Sequence, residues 1–221
     1  MSDTEEDHYY ATGYDVDSDP YVYENGVLIN HFNITNTSEL NEIEADLTKL
    51  SIDQLIINPP PAIFNTEYHC FLHREIFNDV YPWAGELRVV DICKGSTIFL
   101  ENEKILASLD ELFTEIAYQN YYRGFDAEKL SVHAGIFLNK LNFIHPFREG
   151  NGRTQRLLLS QIAQQAGFSI NWASISSDSM KKACIEGGDG QHRPMQRLLQ
   201  LNLDPLDSSS PTPPVTPKKE I

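Results

Sequence analysis

The sequence predicts a mainly α-helical domain that carries one small β-hairpin. Apolar residues recur every three or four positions through most of the chain, and one β-branched stretch at residues 87–100 breaks that period. Of the 221 residues, 41% are hydrophobic, enough to bury one sizeable core. The domain is placed at residues 20–203, between an acidic mobile arm at 1–19 and a flexible tail at 204–221.

The arm is acidic and tyrosine-containing and shows no periodicity, so it has no face to bury. Leu40, Ile43, Leu47 and Leu50 then define one helical stripe. A weaker helical signal surrounds residues 72–76. Residues 87–100, LRVVDICKGSTIFL, set β-branched runs on either side of a Lys94-Gly95 turn signal, which reads as a hairpin. Ile105, Leu109, Leu112, Phe113 and Ile116 form the next stripe, with Asn102 as the expected N-cap. A helix over residues 126–143 is built on Leu130, Ala134, Phe137, Leu138 and Leu141, and another over 153–166 stops at Gly167. A second weak signal covers residues 195–201, and from Asp207 the tail is a Ser/Pro/Thr run that cannot form an apolar face.

The net charge of −15 is unevenly placed. Residues 1–48 hold 12 Asp and Glu and no Lys or Arg, leaving 17 basic against 20 acidic groups for the remainder. This balance argues against nucleic acid or an anionic membrane as partner, because phosphate-rich surfaces attract basic patches. Cys70, Cys93 and Cys184 are odd in number, widely spaced and without a CxxC pair, as expected of reduced thiols rather than a disulfide framework or a zinc site. The N-terminus lacks a signal-peptide pattern and no apolar run is long enough to span a bilayer. The expected place of work is a cytoplasm, of its own cell or of a cell that receives it.

The chemistry is concentrated in residues 145–156, HPFREGNGRTQR, which join two of the expected helices. Pro146 resists continuation of the incoming helix, and Gly150 and Gly152 let the backbone turn tightly and approach a ligand. A helix that starts after such a turn presents unpaired N–H groups and a partial positive charge, which together hold phosphate oxygens. Arg153 and Arg156 share one side of that helix and can fork onto further phosphates. Glu149 is the one carboxylate of the loop, suited to ligate a hard cation that bridges two phosphates. His145, with an ordinary pKa of about 6.5, suits the removal of a proton at neutral pH. These residue types point to phosphate-ester chemistry without specifying the ester.

His145, Phe147, Glu149, Gly150, Asn151, Gly152, Arg153 and Arg156 match every defining position of HxFx(D/E)GNGRxxR, so the chain resembles the Fic family of protein adenylyltransferases. The segment YPWAGELR at 81–88 and the hairpin at 92–100 are similar to that family's pre-flap stretch and target-docking flap. The resemblance implies a Fic-fold helical bundle with a small β-hairpin flap. It also implies transfer of AMP from ATP to a Ser, Thr or Tyr hydroxyl of a target protein, with pyrophosphate released. In that reaction His145 deprotonates the hydroxyl, Phe147 pins the loop and Glu149 holds Mg2+. Gly150, Asn151 and Gly152 form the anion hole around the α-phosphate, and Arg153 and Arg156 grip the β- and γ-phosphates. Lys94, Gly95, Ser96, Thr97, Ile98 and Phe99 are the implied flap, whose free edge would pair with an extended target segment. Gly152 separates the chain from related phosphotransferase toxins, which carry a lysine there and an alanine two residues before.

Two alternatives stay open at this stage: an inactive or regulatory Fic-fold nucleotide-binding protein, and transfer of a different phosphate-containing group. The family's inhibitory string (S/T)xxxE(G/N) occurs at residues 97–102, TIFLEN, on the expected flap and not on a helix near Arg156. The resemblance therefore implies a separate small antitoxin-like protein that supplies the blocking glutamate. His73 and His133 read as structural residues without a second ligand at metal spacing.

Overall fold

The computed structural model describes residues 10–12 and 19–206. Its helices are α1 (Thr37–Ile57), α2 (Thr66–Phe77), α3 (Ile105–Tyr118), α4 (Ala127–Ile144), α5 (Asn151–Gln165), α6 (Ser177–Gly188) and α7 (Arg193–Leu201). Its strands are β1 (Tyr10–Thr12), β2 (Asp91–Lys94), β3 (Thr97–Ile98), β4 (Phe168–Ile170) and β5 (Leu203–Pro205). The mainly helical architecture with one small hairpin is thus the one the sequence predicts. Asn36, Asn65, Asp126 and Ser176 start α1, α2, α4 and α6 by accepting a backbone N–H three residues on, which satisfies a donor the helix itself leaves unpaired.

Helix α4 is the centre of the bundle and packs against α3, α5, α6 and α7, while α2 packs against α1, α3 and α5. The stripes expected of α3 and α4 are buried throughout. Helix α1 departs from expectation: its buried residues are Leu40, Glu44, Thr48 and Leu55, while Leu50 is 62% exposed. Two polar side chains stand on the inward face because, as shown below, they hold an arginine. Asn102 is not a helix cap either; its backbone and side-chain N–H groups both donate to Asp91 Oδ1, from a 3-10 turn that precedes α3. Helix α6 has no counterpart in the sequence reading, since it buries only Ala183 and Gly187 and so shows no apolar stripe.

Strands β1, β2 and β3 form one antiparallel sheet in that order, and β4 and β5 form a second. Parts of the expected arm and tail are therefore engaged. Tyr10–Thr12 pair with β2, Asp19 makes a buried ion pair with Arg148, and Asp204 and Pro205 pair with Ser169 and Phe168. The run from Asp207 lies outside the described residues. Among the described residues no helix is long and apolar enough to cross a membrane, and Cys70, Cys93 and Cys184 are free thiols.

Candidate active site

Helix α4 ends by turning left-handed at His145 (φ 46°, ψ 63°), whose N–H bonds back to Leu141 O at 3.1 Å. Such a backbone costs a non-glycine residue roughly 1–2 kcal/mol and persists only where neighbours hold it. Arg88 is one such neighbour. Its Nε donates to His145 O at 2.8 Å, and its terminal nitrogens donate to the carbonyls of Val90, Leu100 and Ile144. A single buried cation thereby satisfies the C-terminal carbonyls of α4 and ties both roots of the hairpin to the site.

The ring of His145 is equally constrained. Nδ1 lies 2.9 Å from Asn142 O, and because a carbonyl only accepts, Nδ1 carries the hydrogen and Nε2 the lone pair. Phe99 stacks on the ring with centroids 3.8 Å apart and planes at 21°, leaving His145 3% exposed. Burial pushes its pKa down from the usual 6.5 to about 3. The ordinary pKa expected from sequence is therefore corrected: in this closed arrangement the imidazole stays neutral well into the acid range.

The loop that follows is cross-tied from within. Phe147 is fully buried and stacks on His73 at 3.8 Å. Asn151 Oδ1 accepts from Phe147 N–H at 2.9 Å and its Nδ2 donates to Phe147 O at 2.7 Å. The Asn151 side chain is thus a staple of the loop and not a phosphate donor; only its backbone is left to face an anion. His73 Nδ1 accepts from Gly85 N–H, so its Nε2 donates to Glu149 O at 3.0 Å. Gly150 has φ 80°, and a methyl group there would sit 2.2 Å from the Phe77 ring. Gly152 is helical and not a turn residue as first read; its value lies in space, since a methyl group would press within 3.3 Å of the Arg156 guanidinium. Helix α5 has no side-chain N-cap, so its first turn presents backbone N–H groups.

Arg153 points across to α1. Its guanidinium donates to Glu44 Oε1 at 2.5 Å and to Thr48 Oγ1 at 3.1 Å, and lies over the Phe77 ring. Glu44 accepts from the Tyr81 hydroxyl through its other oxygen. Glu149 accepts from Gly150 N–H at 2.7 Å and stands 3.8 Å from Arg153. Burial, reinforced by the Glu44 carboxylate, raises the Glu149 pKa above the usual carboxylate range. Among the described residues no three His, Cys, Asp or Glu side chains cluster to hold a metal alone. A cation at Glu149 would need phosphate oxygens to complete its shell, which suits Mg2+ carried on a nucleotide.

In the hairpin, Lys94 pairs with Thr97 across a Gly95-Ser96 turn, Ile98 is 68% exposed, and Phe99 turns inward onto His145. The outer edge of β2, expected to be free, is covered by β1 in the register Tyr10–Cys93, Ala11–Ile92 and Thr12–Asp91. Glu101 of the inhibitory-like string pairs with Lys104 on the exposed surface.

These features can be set against known proteins. The Fic/DOC family model matches residues 63–163. The protein adenylyltransferase VbhT of Bartonella schoenbuchensis is 34% identical over 86% of this chain and 40% of its own length. The probable protein adenylyltransferase y4lH of Sinorhizobium fredii is 32% identical over 82% of this chain and 94% of its own. The chain belongs to the Fic/DOC family. The N-terminal Fic domain of a VirB-translocated effector from Bartonella quintana, solved with bound ADP, matches this Fic domain with a TM-score of 0.80 at 28% identity, covering 86% of this chain and 96% of that one.

Several residues of the site escaped the sequence reading: Glu44, Thr48, Tyr81, Arg88 and the Asp19–Arg148 pair. Tyr81 and Arg88 lie inside the YPWAGELR segment, whose resemblance assigns neither an individual role. Glu44 did leave a signal, being a carboxylate one turn after Leu40 on the face that must pack inward.

Proposed function

We infer that this Fic domain is a protein adenylyltransferase that moves AMP from ATP to a Ser, Thr or Tyr hydroxyl of a target protein and releases pyrophosphate. The observation that supports this most is the juxtaposition of a neutral His145, its lone pair fixed on Nε2, with the uncapped start of α5. Nε2 takes the proton of the target hydroxyl, the oxygen bonds to the α-phosphorus, and the bond from that phosphorus to the bridging oxygen of the β-phosphate breaks. Backbone N–H groups at Asn151 and Gly152, joined by that of Gly150 once Glu149 releases it, receive the α-phosphate oxygens, and Arg153 and Arg156 take the β- and γ-phosphates. Glu44 and Thr48 aim Arg153 for that task.

Glu149 is the residue that would hold Mg2+, which when bound neutralises phosphate charge. Its proton affinity, raised first by burial and then by the Glu44 carboxylate, supports that reading, since a cation would stabilise the charged form. The partners of this reading are a target protein and a small antitoxin-like inhibitor that directs a glutamate at Arg156, and its setting is a cytoplasm. The test uses ATP labelled at the α- or the γ-phosphate, with Mg2+ and a cell lysate. Label from the α-position is expected in protein and label from the γ-position is not. The reverse pattern would make the chain a phosphotransferase, and ATP binding with neither label transferred would make it a nucleotide-binding protein.

A further inference from the structure

The first strand raises a question that the reaction itself does not answer. Residues Tyr10–Thr12 add a third strand to the hairpin, along the outer edge of β2. The pairing has a definite polarity. Phe99 N–H donates to Ile92 O, so the backbone groups of Ile92 face β3, while those of Asp91 and Cys93 face outward toward Thr12 and Tyr10. Those outward groups are the ones an extended target segment would use to pair with the flap.

The register also orients the strand. Residues directly opposite in an antiparallel pair carry their side chains on one face. Ala11 is opposite Ile92, which is fully buried, and Ile92 is opposite Phe99, the ring stacked on His145. Ala11 therefore stands on the side of the sheet that looks toward the base. An alanine has no hydroxyl to modify.

The chain on the far side of the strand is tied down. Arg148, inside the motif loop, donates to Asp19 through Nε at 3.0 Å and a terminal nitrogen at 2.9 Å, and both side chains are buried. Two residues later the Tyr21 hydroxyl accepts from Val89 N–H, just before β2. Six residues separate Thr12 from Asp19. A tether that short presents the strand to the flap at an effective concentration on the order of millimolar, above what most protein targets reach.

We propose that residues 10–12 are a built-in pseudosubstrate: they cover in cis the flap edge on which a target must pair, and set Ala11 in the row where the target would carry its hydroxyl. The proposal rests on reading the hairpin as the target-docking flap. Entry of a target then requires the arm to leave, and targets unable to outcompete it are refused.

The first test measures binding and needs no catalysis. The full chain carrying His145→Ala is compared with the same chain that also carries Tyr10→Pro and Thr12→Pro, which remove the two donors facing β2. The probe is a fluorescent heptapeptide of alternating Val and Thr with a central Tyr, read by anisotropy. The proline variant is expected to bind about tenfold more tightly with an unchanged thermal midpoint, the competitor having been removed. Equal affinities would overturn the proposal. The second test uses Ala11→Tyr in the otherwise native chain with ATP and Mg2+. An AMP adduct at residue 11, formed at a rate per molecule independent of protein concentration, is expected, and the native arm is expected to carry none. An adduct on the native arm would make it a substrate and overturn the proposal. So would an unmodified residue 11 in a variant that still labels lysate proteins. If neither chain labels anything, it is the transferase reading that has failed, and the peptide affinities alone decide whether the arm covers the edge.

Discussion

The loop from His145 to Asn151 and the hairpin from Asp91 to Ile98 are adjacent and share one arginine, yet they are built in opposite ways. In the loop many backbone groups are claimed: Arg88 holds His145 O, Asn151 closes both groups of Phe147, and His73 holds Glu149 O. The hairpin has strands of four and two residues, an exposed Ile98 and an edge shared with a three-residue strand from the arm. The difference teaches where rigidity is useful. A base and an anion cradle gain rate from fixed geometry, because nothing is reorganised at the moment of reaction. A docking edge gains range from main-chain pairing, which asks little of the partner's side chains.

Substitutions can break that comparison, beginning where the two regions meet. Arg88→Ala strands the carbonyls of Val90, Leu100, Ile144 and His145 in a buried place and should cost roughly 3–5 kcal/mol in denaturant unfolding, with loop and hairpin loosening together in amide exchange. Loosening of the hairpin alone would show that the loop does not depend on Arg88.

Acid should act on the rigid side. His69, His73 and His145 are buried with pKa values pushed to about 3, chiefly by desolvation. The unfolded chain takes up protons near 6.5 and the folded one does not, so their contribution is fully present above pH 6.5 and is lost as pH falls toward 3. Well below 6.5 each should remove about 1.4 kcal/mol per pH unit. Glu149, with a raised pKa, works in the opposite sense, but is one group against three. Stability that stays flat from pH 7 to pH 5 would mean that these rings are hydrated.

The smallest effect on stability belongs to the adaptable side. Ile98→Ala should stay within about 0.5 kcal/mol in unfolding while raising the KM for a protein target and leaving the KM for ATP alone. A large stability loss would place Ile98 in the scaffold.

How much of this could be read from sequence follows the same division. The stripes of α3 and α4 were legible because apolar side chains at helical spacing have one physical outcome, and all ten named positions are buried. The motif was legible because its residue types are rare in that order. What escaped is what tertiary contact decides. Glu44 and Thr48 displaced the expected face of α1 because an arginine from α5 needed partners there. His145 lost its ordinary pKa because Phe99, 46 positions away in the chain, lies on its ring. That the Asn151 side chain also staples the loop was not legible, since which way its amide points is set by the fold around it. The strand at Tyr10–Thr12 had no periodic signal, since three residues cannot show one.

The central claim is that His145 acts on the target hydroxyl and not on the nucleotide. The most direct measurement is of His145→Ala beside the native chain, with ATP affinity taken by calorimetry and AMP transfer to protein by α-label. A loss of roughly 10²–10⁴ in transfer rate with nearly unchanged ATP affinity is the predicted result. A matching loss of ATP affinity, or transfer at the native rate, would contradict the account.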